Sequence, residues 1–564
     1  MEILNVKNLM FTYPKQIAPV LNDISFSIDE GEFVVLCGAT GSGKSTLLKL
    51  LKPEITPLGE KRGSIVLMGE ELKDDNNIRI SASHIGYVCQ NPKEQVVTDK
   101  VWHELAFGLE NMNLSQNEMK ARVAEIAAYF GIEDWFDKNT DELSGGQLQL
   151  LNLASVMVMH PDILILDEPS AQLDPVAKAE LFTTIKKVNL DFALTIIIAE
   201  HSLEELIPVC DKVLCMDQGK LVINGKAEEV LEKIACDDVI FDALPSAYRL
   251  YNKINSFYGL ANKKTPEIGE KIKIPLTIRE GRNYIKQFIP DDYNDRKKYK
   301  ENGKNHSFNT LETDTALEFK NVSLRYSKEI PDALTDLSFK VRSGEIFCIL
   351  GGNGSGKTTV LNAAAGLLKP YEGYIKVFGK KIKDYKNQSL YNNCLSMLPQ
   401  DVQTVFLHNT VKEELESRKA LDKIDDFPFD ISGLLNKHPY DISGGEQQLV
   451  SLAIVLATDP KIVLLDEPTK GLDAYRKKNL VRVLKKLKSD GITIVLVTHD
   501  VEFAAECADR CALLFKGGLA SMGNSQHFFY GNSFYTTYAC RLSRGICEGA
   551  VTVEGLSEML CKGK

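Results

Sequence analysis

The stretch Gly38-Ala39-Thr40-Gly41-Ser42-Gly43-Lys44-Ser45 decides how this chain folds, and it has a second copy, Gly351-Gly352-Asn353-Gly354-Ser355-Gly356-Lys357-Thr358. Each follows a short apolar run, Phe33 to Cys37 and Ile346 to Leu350, that predicts a buried strand, and helix-compatible sequence begins at Thr46 and Thr359. Glycines at this spacing let the backbone amides curl inward, and the following helix N-terminus adds partial positive charge, so the loop suits a polyphosphate. Lys44 and Lys357 are expected to reach the outer phosphates, and the hydroxyls of Ser45 and Thr358 to ligate Mg2+. One match alone could be an ordinary glycine-rich turn; two in the same strand, loop and helix context point to nucleotide.

The 564 residues leave room for two large similar domains. With 44% hydrophobic and 26% charged residues the composition is globular, and the net charge of −10 argues against coating nucleic acid or anionic lipid through the overall field. No apolar run reaches the ~18 residues needed to cross a bilayer, and the N-terminus lacks a basic region followed by a hydrophobic core, which predicts a cytoplasmic chain. The twelve cysteines show no paired Cys-x-x-Cys spacing, so reduced thiols are expected rather than zinc or disulfides.

Outward from the two loops, the same order of features recurs. Tyr13 and Tyr326 precede the loops by similar distances; such aromatics are usually core, but here stacking on an adenine ring is the sharper expectation. Gln90 and Gln400 end short predicted strands, where a glutamine can contact Mg2+ and an attacking water. Ser115 to Phe130 carries a helical stripe of Met119, Val123, Ile126 and Ala127. Ser144-Gly145-Gly146-Gln147 and Ser443-Gly444-Gly445-Glu446 are capping boxes at predicted helix starts. A cap needs no glycine pair, however, and glycines there open the amides to an anion.

The apolar runs Ile163 to Leu166 and Ile462 to Leu465 predict central parallel strands, each ending in carboxylates. Asp167 and Asp466 are expected to hold Mg2+, and Glu168 and Glu467 to polarise a water. A solvated Asp-Glu loop is the bland alternative. It is disfavoured because the lysine-to-aspartate intervals, 44 to 167 and 357 to 466, are similar and both pairs are followed by proline and then Leu-Asp, at Asp174 and Asp473. His201 and His499 end the next predicted strands and are expected at the γ-phosphate. The domain reading is a first repeat at 1–239, a linker at 240–315, a second repeat at 316–525 and a tail at 526–564. The linker's basic run, Asn294 to Ser307, is expected to be solvated.

Taken together, these features resemble the nucleotide-binding domains of ABC-type ATPases over most of both repeats. The resemblance implies an α/β chain of two P-loop NTPase domains in tandem, each with a parallel-sheet core, an antiparallel β subdomain and a helical subdomain. It implies ATP hydrolysis with ATP and Mg2+ bound. Gly38, Gly41, Gly43, Lys44, Ser45 and Thr46, with Gly351, Gly354, Gly356, Lys357, Thr358 and Thr359, would hold nucleotide; Tyr13, Tyr326, Asp174 and Asp473 would border it. Family domains pair head to tail, so an intramolecular pairing of the two halves is expected. Ser144, Gly145, Gly146 and Gln147 would then face nucleotide on the second P-loop, and Ser443, Gly444, Gly445 and Glu446 nucleotide on the first. The chain departs from the family pattern at Leu150 and Leu449, where an arginine is usual.

Gln90-Asn91-Pro92-Lys93-Glu94-Gln95 followed by Ala106-Phe107-Gly108-Leu109-Glu110-Asn111 is similar to the ATPases of energy-coupling-factor transporters, which import vitamins or transition-metal ions. That likeness implies integral-membrane partners, a transmembrane coupling protein plus a substrate-binding membrane protein, with no nucleic acid and a peripheral place on the inner face of the cell membrane. The alternatives are a tandem ATPase of a sugar importer, against which two intact sites count, and a soluble tandem ABC protein acting on ribosomes or DNA. The latter is disfavoured by the acidic balance, the prolines in the linker and the absence of zinc-type cysteine spacing.

Overall fold

The computed structural model describes residues 1–14, 16–72, 78–231, 233–234, 240–257, 273–288, 314–386 and 389–562. Chain contacts divide it into two units, Met1–Pro245 and Ser246–Lys564. The basic run Asn294 to Ser307 lies outside the described residues.

The first unit holds two sheets. Strands β1 (Glu2–Thr12), β2 (Leu21–Asp29), β4 (Glu60–Leu67) and β5 (Glu70–Glu71) form an antiparallel sheet in the order β2-β1-β4-β5. The alternating burial of β2 follows from one face packing on the core. The other sheet comprises β3 (Phe33–Gly38), β6 (Ile85–Val88), β7 (Ile163–Asp167), β8 (Thr195–Ala199), β9 (Lys212–Asp217) and β10 (Lys220–Gly225), in the order β10-β9-β3-β8-β7-β6. It is parallel except at the β10 edge, and β3, β6, β7 and β8 are buried throughout, as continuous apolar runs require when both faces are covered. β4 begins at Glu60, inside Pro53 to Gly63, a stretch whose prolines and glycines predict a loop. Its polar residues pair with β1, Glu60 with Thr12 and Lys61 with Phe11, and Gly63 at φ 90 supplies a conformation that an L side chain rarely adopts, beside a register shift.

The second unit repeats the plan. Strands β11 (Thr315–Leu324), β12 (Leu334–Arg342), β14 (Glu372–Val377) and β15 (Lys380–Lys381) give the order β12-β11-β14-β15. Strands β13 (Ile346–Leu350), β16 (Leu395–Leu398), β17 (Ile462–Asp466), β18 (Thr493–Thr498), β19 (Arg510–Phe515) and β20 (Gly518–Asn524) give β16-β17-β18-β13-β19-β20, the same neighbours as in the first unit. The chains of the two units differ in their helices. Gln116–Phe130, started by the Ser115/Glu118 capping box, has no counterpart of its length in the second unit, where the short Val411–Ser417 is followed by a 3-10 turn, Leu421–Asp426. This accounts for the shorter second interval between lysine and aspartate.

The segment expected as linker contains structure. Ser246–Phe257 and Ile278–Lys286 are helices, and with Tyr538–Ser543 and Val553–Lys562 of the tail they share a core of Leu250, Ile254, Tyr284, Ile285, Leu542 and Leu556. The linker and tail therefore meet rather than standing apart. Gly281 permits the approach, since a Cβ there would lie 2.5 Å from Leu542 Cδ2. Prolines suggest a linker, but the long-range apolar pairing that makes these helices stable is invisible to a local reading. Phe528 and Phe529, from the aromatic tail, are buried in the second unit's main core.

Candidate functional site

Three parallel strands bring the first site together. Register pairs Leu36 with Ala199 and Asp167 with Ala199, so the loop after β3, the carboxylates after β7 and the histidine after β8 leave the same edge of the sheet. The loop conformation is glycine-dependent at its first position. Gly38 has φ 151, and a Cβ there would stand 2.3 Å from Met216 O and 2.7 Å from Ser42 Oγ. Lys44, 4% exposed, starts the helix Lys44–Leu50 and reaches back so that Nζ donates to Gly38 O at 2.9 Å and Ala39 O at 3.1 Å. Lys357 makes the matching bonds to Gly351 O at 2.9 Å and Gly352 O at 3.0 Å, and also lies 3.6 Å from Glu467 Oε1.

Ser45 Oγ donates to Asp167 Oδ1 at 3.0 Å, and Thr358 Oγ1 to Asp466 Oδ1 at 3.2 Å. Burial, and then the neighbouring Glu168, push the Asp167 carboxyl above its usual range; burial pushes Asp466 up to about 6 against the help of Thr358. A hydroxyl and a carboxylate oxygen beside each other, in a setting that penalises uncompensated negative charge, fit a hard divalent cation such as Mg2+. The buried hydroxyls of Ser42 and Ser355 have no hydrogen-bond partner among the described residues, and both stand at the same place inside a glycine loop. An orphaned donor repeated in both loops fits an anion.

Glu168 is held at both oxygens. Gln90 Nε2 donates to Oε2 at 2.9 Å, and His201 Nε2 lies 2.7 Å from Oε1. Its backbone, at φ 47, occupies the left-handed region, and Glu467 does the same at φ 48. Such strain at an acidic residue directly after a strand is a feature of functional sites. His499 Nδ1 lies 2.9 Å from Glu467 Oε2. Burial works against the Glu467 charge, but His499 and Lys357 outweigh it and hold the carboxyl below its usual range. Gln400 is exposed after β16 and makes no hydrogen bond to Glu467.

The remaining expected residues have identifiable places. The Tyr13 and Tyr326 hydroxyls bond to Thr46 Oγ1 at 3.1 Å and Thr359 Oγ1 at 2.9 Å, which sets each ring beside its P-loop helix. Asp174 caps Pro175–Phe192 through Val176 N and Ala177 N, and Asp473 caps Ala474–Ser489 through Arg476 N. Ser144 with Gln147 and Ser443 with Glu446 form complete capping boxes at Gly145–Met157 and Gly444–Leu456.

Four further kinds of residue escape the sequence reading. Tyr87, inside the short strand before Gln90, donates to Asp167 Oδ2 at 3.0 Å. Glu104 accepts from Val97 N, Thr98 N and Thr98 Oγ1 at 3.1, 2.8 and 2.9 Å, and Glu414 accepts from Leu407 N and His408 N, so both fix the loop that follows the glutamine. Their equal offset from Gln90 and Gln400 is the signal that could have revealed them. Glu200, buried before His201, accepts from Ser170 N at 3.0 Å, and Arg476 lies over Gly445.

The profile of the family described as ABC transporter matches residues 21–171 and 334–470, one span across each of these sites. The chain belongs to the ABC transporter family. A candidate ABC transporter ATP-binding protein of Bacillus thuringiensis subsp. konkukian (strain 97-27) is 36% identical over 98% of this chain and 97% of its own. A protein of Bacillus subtilis (strain 168) described as a candidate HMP/thiamine import ATP-binding protein, YkoD, is 29% identical over 94% of this chain and 92% of its own. Among solved structures, the archaeal ribosome recycling factor aABCE1, in complex with the ribosomal stalk protein aP1, covers 93% of this chain and 91% of its own at a TM-score of 0.57 and 19% identity, a likeness of fold. This ABC protein carries two ABC-type nucleotide-binding domains in tandem, binds ATP and hydrolyses it. No described helix is long and apolar enough to cross a membrane.

Proposed function

We propose that this ABC ATPase is the energy-coupling subunit of a membrane importer of the energy-coupling-factor type, for a vitamin or a transition-metal ion. The observation that carries the proposal is the loop after Gln90. Asn91 caps the short helix Pro92–Gln95, Gln95 Oε1 accepts from Cys89 N at 2.8 Å, and Glu104 ties down Val97 and Thr98. Near this ordered loop Val97, Trp102, Phe107 and Met112 are exposed at 65%, 42%, 37% and 39%. Apolar side chains left in solvent around a loop that touches the catalytic carboxylate suit docking of an apolar element of a membrane subunit. YkoD, described as an import protein, is consistent with this direction.

In the proposed cycle the two halves pair head to tail on ATP, with covalent linkage raising the effective concentration of the partner half. Ser144-Gly145-Gly146 faces nucleotide on the second P-loop and Ser443-Gly444-Gly445 nucleotide on the first. Ser45, Asp167 and Gln90 in one site and Thr358, Asp466 and Gln400 in the other would hold Mg2+, which would supply charge neutralisation at the phosphates. Lys44 and Lys357 turn from the loop carbonyls to the outer phosphates. Glu168 and Glu467 orient the attacking water, and His201 and His499 hold those carboxylates and steady the γ-phosphate. Loss of the γ-phosphate reopens the halves, and the loops after Gln90 and Gln400 pass the movement to the membrane subunits.

Co-purification from membranes of the native host tests the reading. Recovery with small integral-membrane subunits is expected, and Trp102→Glu with Phe107→Glu should release them while leaving basal hydrolysis in place. Recovery with ribosomes, or retention of the membrane subunits by the double variant, contradicts it.

A further inference from the structure

The two Ser-Gly-Gly signatures, Ser144-Gly145-Gly146-Gln147 and Ser443-Gly444-Gly445-Glu446, share their glycine pair but differ at two positions beside it. In the first, neutral Gln147 closes the capping box on Ser144, and a Cβ at Gly146 would stand 3.2 Å from Ala177 Cβ. In the second, Glu446 replaces the glutamine and Arg476 replaces the alanine, each at the same offset from its serine or its capping aspartate. Arg476 lies across Gly445 so closely that a Cβ there would meet Nη1 at 2.1 Å and Cδ at 2.7 Å. Its Nη1 donates to Ser443 Oγ at 3.4 Å and its Nε faces Asp473 Oδ2 at 3.9 Å. Glu446 accepts from Ser443 N at 2.8 Å and Ser443 Oγ at 2.5 Å.

A glutamate in the first turn suits the helix itself, because it answers the positive end of the helix dipole. It also places a negative charge where the exposed amides would otherwise attract a phosphate. Burial works against the Glu446 charge, yet Ser443 and, with it, Lys437 and Arg476 hold the carboxyl below its usual range, so the group is ionised at neutral pH. The other difference beside the glycine pair is a cation, Arg476 over Gly445.

We propose that Arg476 is a positioning residue of the second signature, cancelling the charge that Glu446 brings to Ser443-Gly444-Gly445 and keeping that helix end receptive to the γ-phosphate. The proposal rests on the head-to-tail reading above, in which the second signature serves nucleotide on the first P-loop. Because Arg476 also fills the space above Gly445, a purely structural role would make its loss damaging whatever stands at 446. Charge compensation makes the damage conditional on Glu446.

The test uses the full chain with Glu467→Gln, so that turnover reports on the site of Glu168. There Arg476→Ala should raise KM for ATP about tenfold with a smaller change in kcat, and adding Glu446→Gln should return KM to within about twofold of the starting value. The reciprocal exchange, read with Glu168→Gln in place of Glu467→Gln, should follow the same course. Gln147→Glu should raise KM, and Ala177→Arg should lower it again. A KM unchanged by Arg476→Ala in both backgrounds, or a double variant as impaired as the single, overturns the proposal. Should Arg476→Ala fail to fold, the reciprocal exchange decides alone, and a Gln147→Glu effect that Ala177→Arg does not relieve overturns it. If Arg476→Ala raises KM only beside Glu168→Gln, and Glu446→Gln still relieves it, charge compensation holds and the head-to-tail pairing fails.

Discussion

Gln90 Nε2 and Glu168 Oε2 stand 2.9 Å apart, so the residue that opens the loop after β6 is in direct contact with the carboxylate beside the phosphate loop. A hydrogen bond to a charged group contributes about 1.5–3 kcal/mol, equivalent to roughly ten- to a hundredfold in rate if it is realised in the transition state. Gln90→Ala should therefore lower kcat by at least about tenfold, measured as phosphate release with Glu467→Gln as background. Gln400→Ala, lacking the matching bond to Glu467, should lower kcat less in the free protein.

Gly38→Ala should damage the first site more than Gly41→Ala. Both have positive φ, 151 and 84, but only at Gly38 would the new Cβ press on backbone, 2.3 Å from Met216 O; at Gly41 nothing lies within 4 Å. Strain alone is worth about 1–3 kcal/mol. Denaturation midpoints and ATP affinity of the two variants compare them, and equal losses would contradict the contact.

Glu104→Ala should loosen the loop after Gln90 without unfolding the domain. It strands the amides of Val97 and Thr98, each an unsatisfied group costing about 1–3 kcal/mol where it stays buried. Faster amide exchange confined to the neighbourhood of residues 96–100 is the expected result, and Glu414→Ala should act likewise around 406–408.

Glu554 predicts a pH dependence for the four-helix core of the second unit. Burial works against its charge, but Arg249, Lys478 and Lys253, the last two at 3.6 and 3.8 Å, hold the carboxyl below its usual range. A lowered folded-state pKa contributes stability above the unfolded-state value of about 4.3, and that contribution is lost as pH falls through the folded-state value. Glu554→Gln should therefore lower the denaturation midpoint at pH 7, and the difference from the unaltered chain should shrink as pH falls below the unfolded-state value of about 4.3 and through the lowered folded-state value.

Sequence patterns revealed most of the strands that build the site, because buried parallel strands are continuous apolar runs and the glycine loops, Asp-Glu pairs and histidines end them. Ile163 to Leu166 and Thr195 to Ala199 show this directly. What stayed hidden depends on partners distant in sequence. Tyr87 looks like core until Asp167 is placed against it, and the helix Ile278–Lys286, although Thr277 and Glu280 cap its start, acquires a buried face only where Leu542 packs on Gly281. The capping boxes were legible because both partners lie within one turn, whereas Arg476 over Gly445 joins two helices and was not.

Phosphate release from the full chain carrying Glu168→Gln and Glu467→Gln together tests the central claim most directly. The account predicts that turnover is abolished while ATP still binds and stays trapped. Undiminished hydrolysis by the purified double variant would contradict it.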